Sequence, residues 1–316
     1  MSVKISGFYD EASLDFETQL KLVKELGESF MCPRIVNKKN LANYTAEEFE
    51  KTVWPLMKEY GVRFSSIGSP IGKIGLYDDE AYREQLKKLE ELVKICKLTG
   101  CRYIRVFSFH CNTSGDCSGY FPEVVKKIRG FLEVAEGSDI ILLHENEKKI
   151  FGDIPERCLM LYNEINNPQF KLAFDASNYI QCGADPREAY ALLKDYAVYY
   201  HIKDCSAEKV EVPLGLGEGN YKEMLTDLIV NRKYDGFLTL EPHTGKYADF
   251  KILFNFLAPV ASLIKPIRYF HKVFRRIDKA MNVGAMQKVS HDTPFRWQHA
   301  ALVKMLAEID AGGESR

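Results

Sequence analysis

Apolar residues gather in short runs separated by longer stretches of helical spacing. Eight runs have strand length and are bounded by turn residues: VKISGF (3–8), SFMCPRIV (29–36), VRFSSIG (62–68), CRYIRVFSF (101–109), DIILLHE (139–145), FKLAFD (170–175), AVYYHIKD (197–204) and GFLTLE (236–241). Between them, FETQLKLVKELG, TAEEFEKTVWPLMKEYG, AYREQLKKLEELVKICKLTG and YKEMLTDLIVNRKYDG repeat apolar positions every three to four residues, as amphipathic helices do.

Strands alternating with helices build βαβ units. Eight of them predict an α/β fold closed into a (β/α)8 TIM barrel, since crossover helices cover the sheet and closure leaves no exposed edge. An open doubly wound sheet is disfavoured, because no G-x-G-x-x-G follows the first run. In a barrel, chemistry belongs at the C-terminal ends of the strands. Polar residues collect there: Asp10, Glu11, Arg34, His110, His144 to Glu147, Asp175, His201 to Asp204 and Glu241 to His243.

Side chains at i and i+2 share a strand face. Tyr199, His201 and Lys203 therefore align, as do Thr239, Glu241 and His243, Leu143 and Glu145, and Ala173 and Asp175. One inward set offers Glu145, Asp175, His201 and Glu241 from four successive strands. Three carboxylates and an imidazole suit one divalent cation, Mn²⁺ by preference, with Mg²⁺, Co²⁺ or Zn²⁺ as alternatives. Without a cation the carboxylates would repel, and at least one should take up a proton.

At these positions the chain resembles the xylose isomerase-like barrel superfamily, in particular its sugar phosphate isomerase/epimerase group, which shares its fold with endonuclease IV. The resemblance rests on HENEKKIFGD, FDASNYIQCG, HIKD and LEPH in order, and covers about residues 1–246. It implies that Glu145, Asp175, His201 and Glu241 are the metal ligands. It also implies that Glu145 and Glu241 pass protons on opposite faces of a bound sugar. The chemistry agrees: a cation gripping a carbonyl and its neighbouring hydroxyl stabilises the enediolate left when the α-proton departs. The expected activity is a metal-dependent isomerase or epimerase of a sugar or sugar phosphate.

The alternative is a lyase on a 3-keto sugar, as in the C-glycoside deglycosidase catalytic subunits, with His144 as base. Strict alternation turns His144 away from Glu145 and favours a buried structural histidine. An abasic-site endonuclease and a non-catalytic sugar-binding subunit rank lower. Lys203 either steadies an oxyanion or hydroxyl or forms a barrel-mouth salt bridge; Arg34, His110 and His243 are candidate substrate contacts, Arg34 equally a structural ion pair. GSPIGKIG (68–75) and GLGEG (215–219) could cradle a phosphate, and Trp54 reads as packing.

Composition narrows the partners. With 43 basic and 44 acidic residues the net charge is -1, which gives no field for nucleic acid. Eight scattered cysteines without a C-x-x-C pair, and an N-terminus without a signal pattern, point to a reduced, cytoplasmic protein. The domain reading is a barrel over 1–246, an insertion over 247–294 and a closing helix over 295–316. The insertion carries eight Lys/Arg and three Asp, net +5, among large apolar residues. It is expected to be a lid or a homo-oligomer or partner-subunit interface rather than a membrane contact, since Pro259 and Pro266 interrupt any long helix.

Overall fold

The structure, a computed structural model, describes residues 3–257 and 265–313. The eight expected strands are present, the sixth at its expected length, the third displaced toward the end of its run and the others shortened: β1 (Lys4–Gly7), β2 (Phe30–Met31), β3 (Ile67–Ile71), β4 (Tyr103–Val106), β5 (Ile141–Glu145), β6 (Phe170–Asp175), β7 (Ala197–Ile202) and β8 (Phe237–Leu240). Seven form one parallel sheet in the order β1-β8-β7-β6-β5-β4-β3. β2 fills the remaining gap: Cys32 N donates to Gly7 O (2.9 Å), Gly68 N donates to Pro33 O (2.9 Å), and Phe30–Met31 pairs in parallel with Arg63–Phe64. The ring is a TIM barrel.

Local chemistry explains the shortening. Pro33 has no N–H to continue the second ladder. Ile35–Val36 instead folds back on Lys39–Asn40 through Asn37 and Lys38, whose φ values of 49° and 64° suit a tight hairpin. The third run breaks at Ser65 and Ser66, whose hydroxyls turn to Met31 O and Tyr103 O. The fourth run stops before Phe109, which has a φ of 63°.

Helices start where acidic or hydroxyl side chains cap free N–H groups. Asp15, Thr45 and Asp78 accept from Thr18 N, Glu48 N and Ala81 N. Trp54 opens the helix Trp54–Tyr60, half-buried against the core. The final helix, Asp292–Gly313, lays Phe295, Leu302, Leu306 and Ile309 into the main core, and Gln298 donates to Ile202 O at 2.6 Å.

After β8 come the helices Gly245–Phe256 and Lys265–Met281. Pro266 stands at the second position of the latter, where a missing N–H costs nothing, and Pro259 lies outside the described residues. Tyr247, Val273, Phe274, Ile277 and Val289 form a second apolar cluster with Val212 of the loop after β7. Its buried Lys251 ammonium lies 2.9 Å from Asp278 Oδ1 and donates to the carbonyls of Gly284 and Gln287. Among the described residues no helix is long and apolar enough to cross a membrane. All eight cysteines are free thiols.

Candidate metal centre and active site

Parallel register brings the inward residues level. His201 pairs with Asp175 across β7 and β6 and with Thr239 across β7 and β8, while Glu145 pairs with Ala173. The result is a compact cluster of Glu145, Asp175, His201 and Glu241, all buried, with one donor atom from each within 4.8 Å of the others. His201 Nδ1 lies 3.0 Å from Glu145 Oε1, 3.2 Å from Glu241 Oε2 and 3.9 Å from Asp175 Oδ2. This buried acid and histidine group could hold a metal ion.

Asp175 shows how one side chain serves both fold and site. Its Oδ1 accepts from Asn178 N at 2.9 Å and caps the helix Ala176–Cys182. Its Oδ2 stays inside the cluster, 2.8 Å from Lys203 Nζ at an angle that leaves the oxygen without a hydrogen bond. The Asn146 side-chain amide donates to Asp175 O and accepts from Asp175 N, each at 3.0 Å, and Asn178 Nδ2 donates to Glu145 Oε1 at 3.4 Å.

A ring of cations surrounds the acids. Lys203 Nζ is 3.5 Å from Glu241 Oε2. Arg34 reaches Asp10 (2.8 Å), Glu11 (3.4 Å) and Glu241 Oε1 (3.4 Å), and His243 Nε2 lies 3.3 Å from Glu11 and 3.2 Å from Glu241 Oε1. Arg105, fully inside the barrel, reaches Glu145 Oε2 at 3.0 Å and Glu241 Oε1 at 3.7 Å. Five carboxylates (Asp10, Glu11, Glu145, Asp175, Glu241) thus face three fixed cations (Arg34, Arg105, Lys203) and two imidazoles (His201, His243), and with both imidazoles neutral two negative charges are left over, which one divalent ion would balance in place of two protons. The donor set of three carboxylates and one imidazole therefore fits such an ion. Glu11, Glu241 and His243 also converge, but Arg34 already occupies that side of both carboxylates.

The protonation states follow from this packing. Burial opposes charge on Glu145, yet His201 and Arg105 hold it down at about 2. Burial likewise opposes charge on Glu241, but Lys203 and His243 hold it well below the usual carboxylate range. Asp175 is raised to about 6 by burial and by its two glutamate neighbours, against the pull of Lys203. His201 is raised to about 9: burial disfavours the imidazolium, but Glu145 and Glu241 outweigh it.

Other residues fall elsewhere. His144 lies on the opposite face of β5, with both ring nitrogens buried and without a hydrogen-bond partner, and its ring packs 5.9 Å from Phe170. It is outside the acid cluster, so the sequence reading that made it a base beside the metal is not what the placement offers. His110 is exposed on a separate loop, its Nδ1 3.4 Å from Lys149 O. The GLGEG loop holds the protein's own carboxylate rather than a phosphate: Gly215, Gly217 and Gly219 N–H groups donate to Asp204 at 2.9, 3.0 and 2.9 Å. In the other glycine-rich stretch, Lys73 pairs with Glu147 at 2.9 Å.

Arg105 and Asn178 were missed from sequence, and Asn146 stood in the polar run His144 to Glu147 without a role of its own. Alternation gave a signal for the first, since Tyr103 and Arg105 share the inward face of β4 and a buried arginine requires carboxylate partners.

Fold and centre together define a TIM barrel with a buried acid and histidine group at the C-terminal ends of its strands. Residues 20–260 match the xylose isomerase-like TIM barrel family, and the chain belongs to it. It is 24% identical over 197 residues, 55% of this chain and 69% of the relative, to a 3-dehydroshikimate dehydratase from Bacillus anthracis. It is 28% identical over 163 residues, 51% of this chain and 57% of the relative, to a 2-epi-5-epi-valiolone 7-phosphate 2-epimerase from an Actinoplanes species. A xylose isomerase-like barrel from Mycobacterium smegmatis, solved with magnesium, superposes with a TM-score of 0.60 at 19% identity, covering 72% of this chain and 81% of that one. A 3-keto-D-glucoside 4-epimerase from E. coli superposes with a TM-score of 0.59 at 17% identity, covering 77% and 92%.

Proposed function

We propose that the protein is a divalent-metal-dependent sugar isomerase or epimerase that removes a proton α to a carbonyl. The observation that carries this reading is the convergence of Glu145, Asp175, His201 and Glu241 with Lys203 in one buried cluster. An ion held by those four ligands, Mn²⁺ by preference, would polarise the substrate carbonyl and acidify the adjacent C–H.

This chain's residues do the rest. Glu145 and Glu241, both held ionised, are the proton carriers: one takes the α-proton, and the C–H electron pair moves toward the carbonyl oxygen. The Lys203 ammonium, kept charged by Asp175 and Glu241 despite burial, faces the negative charge that develops on oxygen. Return of a proton to the same carbon from the other face gives an epimer, and return to the neighbouring carbon gives an isomer. Arg34 and His243, with side chains 24% and 35% exposed, border the accessible side and are the substrate-hydroxyl contacts.

The dehydratase relative supports a second reading, elimination from a keto sugar or related ketone, which begins with the same proton abstraction. With His144 facing away, Glu145 or Glu241 is the base in that version too. We place the protein in the cytoplasm, with the 247–294 region as a lid or subunit contact.

Incubation of the Mn²⁺-loaded protein with a panel of keto sugars in D₂O tests the reading. Deuterium at the carbon next to the carbonyl is expected, with the exchange rate reduced by at least about 10²- to 10⁴-fold in Glu241→Gln, which removes a metal ligand as well as a proton carrier. Turnover with complete retention of the original hydrogen would instead indicate hydride transfer.

A further inference from the structure

The two proposed proton carriers share one buried cation, Arg105. Arg105 rises from the floor of the barrel on β4, and its Nη1 lies 3.0 Å from Glu145 Oε2 and 3.7 Å from Glu241 Oε1. The opposite oxygens, Glu145 Oε1 and Glu241 Oε2, are those that face His201 Nδ1, at 3.0 and 3.2 Å. One oxygen of each glutamate thus faces the ligand cluster and the other the guanidinium, which hydrogen-bonds Glu145 Oε2 and shares Glu241 Oε1 with Arg34 (3.4 Å) and His243 (3.2 Å).

The guanidinium is itself fixed from every side. Nε donates to Ser69 O at 3.3 Å and Nη2 to Gly68 O at 3.2 Å. The Phe8 and Phe107 rings lie 4.9 and 5.1 Å from its centre. Phe8 can sit there because residue 68 is glycine: a Cβ at that position would lie 2.4 Å from the Phe8 ring. A planar five-donor group anchored by two carbonyls and two rings has little freedom left, so it can set the orientation of flexible carboxylates.

We propose that Arg105 is a positioning residue: through its hydrogen bond to Glu145 Oε2 and its charge beside Glu241 Oε1 it turns Glu145 Oε1 and Glu241 Oε2 toward the cation, and leaves Glu145 Oε2 and Glu241 Oε1 as the oxygens through which the two glutamates exchange protons. The inference rests on the metal-centre reading above. It makes a prediction opposite in sign to a purely electrostatic role: removing a positive charge beside a cation site should tighten cation binding, whereas removing the clamp should weaken it.

The test is Mn²⁺ titration of the full chain by calorimetry and by the Mn²⁺ paramagnetic resonance spectrum, in wild type, Arg105→Met, Arg105→Lys and, as a control, Lys251→Met. Lys251 is equally buried in an ion pair, with Asp278, but belongs to the second apolar cluster. Arg105→Met is expected to bind Mn²⁺ about 10- to 100-fold more weakly with an altered spectrum. Arg105→Lys, which keeps the charge but cannot span both carboxylates, should bind more weakly than wild type and more tightly than the Met variant, and its loss relative to wild type carries the test if the Met variant fails to fold. Added guanidinium ion should restore binding in the Met variant, and the control should keep wild-type affinity. Unchanged or tighter Mn²⁺ binding in a folded Arg105 variant overturns the inference and leaves the metal-centre reading standing. Absence of Mn²⁺ binding by wild type overturns that reading itself.

Discussion

His144 should make the metal-free protein acid-labile by an amount that can be worked out. Its ring is buried with no hydrogen-bond partner, and burial pushes its pKa from 6.5 down to about 4, against the weaker upward pull of Glu145. The unfolded chain takes up a proton across the window from about 6.5 to about 4 while the folded chain does not, so stability rises with pH there. The native state holds its full advantage above pH 6.5 and loses it as pH falls. The linkage amounts to about 2 kcal/mol at pH 5 and approaches about 3 kcal/mol below pH 4. The perturbation is His144→Leu, which removes the titrating group, keeps an apolar body against Phe170, and leaves no polar atom unpaired; it should be neutral or stabilising at pH 7.5. Urea unfolding in the presence of chelator, at pH 7.5 and pH 5, gives the difference between the two proteins directly. Equal losses of stability in wild type and variant over that interval would refute the reasoning, because the shift could not then arise from this imidazole.

Glu241→Gln should abolish the one equivalent of divalent metal that elemental analysis is expected to find in the wild type. Saturation with Mn²⁺ at about 100 times its dissociation constant should stabilise the wild type by about 2.7 kcal/mol and the variant by much less, read as the shift in thermal midpoint. In Gly217→Ala the new Cβ would lie 2.2 Å from Asp204 Oδ1 and 2.4 Å from Cys205 O, so the loop must lift off the buried carboxylate. A cost of about 2–4 kcal/mol is expected by urea unfolding. Gly119→Ala, with nothing within 4 Å of the new Cβ, should stay within about 0.5 kcal/mol of wild type.

Much of the centre was legible because two simple periodicities carry it. Strands that alternate in and out, ending on acidic or imidazole side chains, announced Glu145, Asp175, His201 and Glu241 from the chain alone. The same rule turned His144 outward, where it is found. The glycine-rich loop misled for a physical reason. Free N–H groups in GLGEG suit any anion, and the sequence does not say that Asp204, eleven to fifteen residues earlier, supplies it. Arg105 was hidden in the middle of an apolar run, with one partner, Glu145, 40 residues further along the chain and the other, Glu241, beyond the last strand.

The sequence by itself determined the strand and helix order, the α/β class, and which side chains point into the barrel, because hydrophobic period and strand alternation are local properties of the chain. Only the tertiary structure decided which charges meet. Closing eight strands into a ring placed Arg34, Arg105 and Lys203 among five carboxylates, and strand register assigned particular oxygens to the guanidinium and others to the centre. Those pairings depend on distances between strands far apart in the chain, which no local pattern encodes.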